Sequence, residues 1–259
     1  MEANGLSDKI EVIQGRIQQV EIPEKVDVIV SEPIGFLLVH ERMLEVYTIA
    51  RERFLKEDGL MFPSTGSIVF APMTDEALHS EQLTKADFWS TSDFYGVDLT
   101  SAIAVAKKEY FSQPVVGCFS SASLLSAQRA VHMVDFSATT CEELQNFEID
   151  FNFRIDKTAL MHGFGCWFDI SFDGSSSSVV LSTHPDCPAT HWYQCRLLFP
   201  DPLAVNKGQS VYGQMSFKAN EKFSFFVTIT ATIDGTEITA TNTINLHDQM
   251  YHYLNGGSS

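Results

Sequence analysis

The 259-residue chain is long enough for one large domain or two modest ones, and its 44% apolar, 12% aromatic and 19% charged residues form an ordinary globular mixture. Its 17 Lys and Arg face 33 Asp and Glu, a formal charge of −16, which disfavours direct nucleic-acid binding and favours cationic ligands or Arg/Lys-rich proteins. The five cysteines are odd in number and widely spaced without a C-x-x-C, so reduced thiols in a cytosolic or nuclear compartment are expected. With no signal-like start and no run of about 18 apolar residues, neither secretion nor membrane spanning is expected.

In chain order, Val26-Asp27-Val28-Ile29-Val30 is a β-branched run suited to a strand buried on both faces, as in a parallel sheet covered by helices. From 41 to 56, Met43, Leu44, Tyr47, Ala50, Phe54 and Leu55 recur every three or four positions, predicting an amphipathic helix that Asp58-Gly59 stops. Strand, loop and helix make about one and a half units of an open α/β fold. Beyond Pro63 the pattern changes. A helix-like stretch at 75–89 and an aromatic-dotted connection suggest an inserted arm, and then short strands follow one another. The cleanest is Phe147, Ile149, Phe151, Phe153 and Ile155, alternating with polar residues; others are expected at 165–172, 178–183, 192–199, 210–217, 223–233 and 237–246. Asp173-Gly174 and Asp234-Gly235 supply turns, and the spacing is that of a barrel or sandwich. The expected fold class is therefore α/β followed by all-β.

Ligands of open α/β sheets bind past the carboxyl ends of the strands, and here Val30 leads into Ser31-Glu32-Pro33-Ile34-Gly35, then Glu41. Two acids bracketing a bent, apolar loop would repel in a dry pocket unless they shared a proton or bound a cation, and a guanidinium fork matches carboxylates two at a time. The plainer alternative is that Glu32 caps a turn and Glu41 sits in the first turn of the helix, favoured by its dipole. Thr190-His191-Trp192-Tyr193, after a Pro-containing loop, is either a cation-flanking pair or a strand start with an anchoring aromatic. Gly163-Phe164-Gly165 is not a dinucleotide loop, and His247 and His252 are spaced as surface residues rather than metal ligands.

Ser31-Glu32-Pro33-x-Gly35, Glu41-Arg42-Met43-Leu44-Glu45, Met61-Phe62-Pro63 and Thr190-His191-Trp192-Tyr193, in that order, resemble the protein arginine methyltransferases. Within them, Thr84-Lys85-Ala86-x-Phe88-Trp89, Gly96-Val97-Asp98-Leu99 and Tyr110-Phe111-x-Gln113-Pro114-Val115-Val116 look like the type I, coactivator-associated branch. The likeness runs from Leu6 to about Leu246. It implies residues 1–62 as the C-terminal part of a Rossmann-like S-adenosylmethionine-dependent methyltransferase domain, and 63–254 as a β-barrel substrate-binding domain. A helical dimerisation arm would lie at about 74–110 and a flexible tail at 255–259. It also implies methyl transfer from S-adenosylmethionine to arginine of basic proteins such as histones, without metal, ending in asymmetric dimethylarginine, in nucleus and cytoplasm. Glu32 and Glu41 match the family's catalytic glutamates, Met43, His191 and Trp192 its acceptor side, and Gln18 and Val46 its cofactor side, where the family has a glutamate and a serine. The family's glycine-rich cofactor turn, ribose-binding acid and tyrosine-bearing helix match nothing here, so weak cofactor binding by this chain alone is expected, as is loss of the family's head-to-tail homodimer. The alternative is a non-catalytic acidic barrel module that binds arginine-rich proteins.

Overall fold

The computed structural model describes residues 1–252, so the expected tail at 255–259 and the last residues of the expected barrel domain lie outside the described residues. Strand β1, Val26–Val30, runs into a loop and helix α1, Met43–Phe54, and returns as β2, Leu55–Phe62, which pairs parallel to β1 with Val30 opposite Phe62. The helix is shorter than the periodicity predicts. Asp58-Gly59 is not its stop but lies within β2, because the parallel partner recruits residues up to Phe62. One face of β1 lacks the expected cover: Val28 and Val30 are 43% and 75% exposed, since among the described residues this sheet has two strands and α1 lies against it.

After a cis Phe62–Pro63 bond come β3 (Thr65–Met73), the arm helices α2 (Glu76–Asp87) and α3 (Ile103–Phe111), the two-residue β4 (Val115–Val116) and β5 (Ala130–Asp135). A short helix α4 (Cys141–Gln145), started by a Thr140/Glu143 capping box, leads into β6 (Asn146–Arg154). Then follow β7 (Ala159–Asp173), β8 (Ser178–Ser182), β9 (Cys195–Val205), β10 (Ser210–Ala219), β11 (Phe225–Ile233), β12 (Thr239–Asn245) and β13 (Met250–Tyr251). One sheet has the order β12-β11-β10-β6; the other runs β13-β4-β9-β7-β3-β5, with β8 on the far end of β7.

Two seams close these sheets into a barrel. At one, Asn242 of β12 donates from Nδ2 to the carbonyls of Leu198 on β9 and Phe111 at the end of α3, both at 2.7 Å. At the other, the His132 ring of β5 stacks on Phe147 of β6, which stacks on Phe217 of β10, each pair 4.6 Å apart. Between the sheets Phe70 meets Phe151 and Phe164 edge to face at 5.7 and 5.4 Å. Each ring removes a large apolar area from water, so this cluster carries the domain's stability. The alternating pattern of β6 aims Ile149, Phe151 and Phe153 into it. Gly163 sits at a register shift between β7 and β9, at φ 153°, where a Cβ would lie 2.0 Å from the Leu197 carbonyl.

The arm is fastened at its root. Asp75 caps α2 and pairs with buried Arg196 at 3.0 Å, and His79 lies 3.1 Å from the Phe199 carbonyl. Its tip coheres through its own rings, Phe88 with Phe94 at 5.6 Å and Phe94 with Tyr95 at 4.9 Å. All five cysteines are free thiols; Cys166 and Cys195 face each other across β7 and β9, and burial pushes the Cys195 thiol up to about 12.

Candidate active site

The loop between β1 and α1 is a plug. Ile34, Phe36, Leu37, Leu38 and Val39 are all buried, and Leu38 reaches so far into the barrel that a Cβ on Gly66 of β3 would lie 2.8 Å from it. Non-directional burial of that apolar middle stabilises backbone that would otherwise be avoided: Leu37 and Leu38 have positive φ, 53° and 67°, and beyond the buried run Glu41 and Arg42 follow at 68° and 56°. Gly35 completes the fold-back, since a Cβ there would stand 2.2 Å from the His40 carbonyl.

Burying the middle leaves Glu32 and Glu41 at the two mouths of the loop. Both line one pocket of about 310 Å³, together with Met43, His191, Trp192 and Tyr251. Neither carboxylate has a hydrogen bond or ion pair with the chain among the described residues. The nearest guanidinium in sequence, Arg42, is already held by Glu45, with Nη2 to Oε2 at 2.9 Å, and by the Asn220 carbonyl. The pocket is not the dry one that the loop's composition suggests: Ile34 and Phe36 line part of it, but both glutamates stand exposed at its mouth.

Trp192 lines the pocket and is also anchored. Its Nε1–H donates to the Ile34 carbonyl at 2.9 Å, pinning the 190–193 loop to the glutamate loop, and the His191 ring lies 4.0 Å from its own. Trp192 is thus tied down while it lines the pocket, the strand expected from 192 begins only at Cys195, and His191 sits at the pocket's exposed edge. His40, buried beneath the pocket and 2.9 Å from Ser224 Oγ, has its pKa lowered to about 4 by burial, with a further contribution from His247.

A second pocket, of about 390 Å³, lies at the carboxyl end of β1 and is lined by Ile17, Val30, Pro33 and Val46. It shares Glu32 and Met43 with the first, so the two spaces adjoin across those side chains. Val46 is therefore brought to the site but Gln18 is not: Gln18 is exposed, and its neighbour Ile17 faces the pocket, fixed where Arg53 Nη1 bonds the Ile17 carbonyl at 2.6 Å. Sequence reasoning missed His40, Ser224, Asn220 and Tyr251, whose contributions depend on contacts across the chain. Among the described residues no group of three or more His, Cys, Asp or Glu could hold a metal ion, and no helix is long and apolar enough to cross a membrane.

Residues 64–231 match the family model of the arginine methyltransferase oligomerization subdomain. The chain is 44% identical over 253 residues to the histone-arginine methyltransferase CARMER of Drosophila willistoni and of Drosophila virilis, matching 98% of this chain and 47% of each relative. It thus spans about half the length of the curated relatives it matches. Among solved structures it is similar to protein arginine methyltransferase 10 of Arabidopsis thaliana, with a TM-score of 0.83 and 23% identity over 95% of this chain and 77% of that one. It is also similar to a chain of the Trypanosoma brucei PRMT1 enzyme-prozyme heterotetramer with AdoHcy, with a TM-score of 0.82 and 24% identity over 95% of this chain and 76% of that one. These likenesses show the same fold, a partial Rossmann-like unit joined to a β-barrel. On the match over most of the barrel, this chain belongs to the protein arginine methyltransferase family.

Proposed function

We propose that the chain is the acceptor-binding part of a type I protein arginine N-methyltransferase that uses S-adenosylmethionine and modifies histones or similar basic proteins in the nucleus, with cytoplasmic action as well. The observation that carries this reading is a pocket with two carboxylates, Glu32 and Glu41, and no cation among the described residues paired to either. A guanidinium answers that demand, and the charge of −16 favours encounter with basic tails.

Glu32 and Glu41 accept hydrogen bonds from the guanidinium N–H groups and draw its positive charge toward the nitrogens they hold. The remaining nitrogen becomes the better nucleophile. A carboxylate oxygen of either residue then takes the proton that the methylated nitrogen releases. Met43 belongs to the wall between the two pockets, and Trp192 fixes the loop that carries Glu32 by its bond to Ile34. The donor side fits the methyl-bearing end of S-adenosylmethionine in kind: it is an open, mainly apolar pocket at the end of β1, with Glu32 at its boundary. When bound, that group supplies an electrophilic methyl on a sulfonium. In the complete assembly the arm joins two copies, a reading supported by its place within the matched oligomerization subdomain.

A second reading, an acidic module that binds arginine-rich proteins without turnover, is favoured by the exposure of Val30 on the donor side. Calorimetry separates the two. The chain is expected to bind an arginine peptide more tightly than its lysine counterpart and to lose about tenfold in that preference on Glu32→Gln or Glu41→Gln, with weak but measurable S-adenosylmethionine binding. Equal binding of both peptides by the unmodified chain overturns the acceptor assignment, and donor binding that is absent even with excess arginine peptide favours the module.

A further inference from the structure

Glu41 is gripped from both sides by one turn of the barrel. It sits at φ 68° and ψ −7°, and Arg42 follows at φ 56°, conformations that residues with side chains avoid unless their surroundings hold them. The residues before and after Glu41 both reach the turn joining β10 to β11. His40 Nδ1 lies 2.9 Å from Ser224 Oγ, and Arg42 Nη1 donates to the Asn220 carbonyl at 2.9 Å.

That turn is rigid in its own right. Asn220 Oδ1 accepts the backbone amides of Lys222 and Ser224 at 3.0 and 3.1 Å, and the Asn220 amide donates to the Ser224 carbonyl at 2.8 Å. Asn220 Nδ2 donates to Asn245 Oδ1 at 3.1 Å, linking the turn to the end of β12. Ser224 is fully buried and His40 nearly so, which leaves the serine hydroxyl no solvent partner. Attachment of the loop does not require these bonds, since its apolar middle already inserts into the barrel. What burial cannot supply is direction; two hydrogen bonds flanking one residue do.

We propose that Ser224 and Asn220 are positioning residues for Glu41: acting through His40 and Arg42, they set the backbone geometry from which its carboxylate faces the acceptor pocket. The inference rests on the assignment of Glu41 to the guanidinium site. Ser224→Ala removes the hydroxyl with little change of shape, and Ser224→Thr keeps it. The Arg42 amide, bonded to the Val39 carbonyl at 3.1 Å, reports on the loop by hydrogen exchange, and Val227 in the β10–β11 ladder serves as the reference. With Ser224→Ala, exchange at Arg42 is expected to quicken about tenfold relative to Val227, the scale of one lost buried hydrogen bond, with Ser224→Thr restoring much of the protection. Affinity for an arginine peptide should fall about tenfold while that for its lysine counterpart holds. Unchanged exchange at Arg42 relative to Val227 overturns the proposal. If the unmodified chain does not prefer arginine over lysine, the acceptor assignment fails, and the exchange ratio still decides whether the turn orders the loop.

Discussion

Strands β1 and β3 are both rich in branched and apolar residues, yet residues 66–73 of β3 are all buried whereas Val28 and Val30 of β1 are 43% and 75% exposed. The difference lies in their neighbours. β3 is hydrogen-bonded on both edges, to β5 and β7, and its face meets the rings of β6 and β7; β1 has β2 on one edge and α1 against it. An apolar strand states what must be covered and says nothing of what will cover it. The glutamate loop runs from the poorly covered region into the well covered one, where its apolar middle is buried.

The contrast can be broken most directly at the barrel core. Phe164→Ala should destabilise the chain by about 3–5 kcal/mol, read from denaturant unfolding, because Phe164 is fully buried among Phe70, Phe151 and Phe199. A loss below about 1 kcal/mol would mean that the aromatic cluster is not the core it resembles. A smaller effect is expected from protons. The His40 pKa is about 4 in the folded chain against 6.5 as a free side chain, so the unfolded chain binds the extra proton first as pH falls. Stability should therefore be complete above about pH 6.5, fall between about 6.5 and 4, and lose nothing further from this group below that. Burial of this kind is worth at most about 3 kcal/mol across the window. His162, also lowered by burial and by His79, acts in the same direction, so His40→Gln should reduce the slope without abolishing it. The smallest effect belongs to β1: Val30→Thr should stay within about 0.5 kcal/mol by the same unfolding assay, as for most exposed positions.

Legibility in the sequence followed the range of the interactions involved. The alternation from Phe147 to Ile155 marks β6 to within a residue or so because a half-buried strand writes its burial into its own period. The end of α1 is not legible at Asp58-Gly59, because β1, a partner distant in sequence, draws those residues into a strand. Glu32 and Glu41 could be singled out because a bend and two acids are local signals, and the structure brings both to one pocket. The exposed position of both acids, the anchoring bond of Trp192 to Ile34 and the bond between His40 and Ser224, 184 positions apart, belong to the closed barrel and have no local signature. Gln18 illustrates the converse: a motif position carried over by resemblance stands outside the pocket that its neighbour lines.

The arm's fastening has a practical side. Asn242, Asp75 and His79 secure both of its ends to barrel strands, and the rings of Phe88, Phe94 and Tyr95 hold its tip together without help from below. The tip is thus an exchangeable part, and a chimera carrying a different hairpin between the two arm helices should keep the host's thermal stability in a melting experiment.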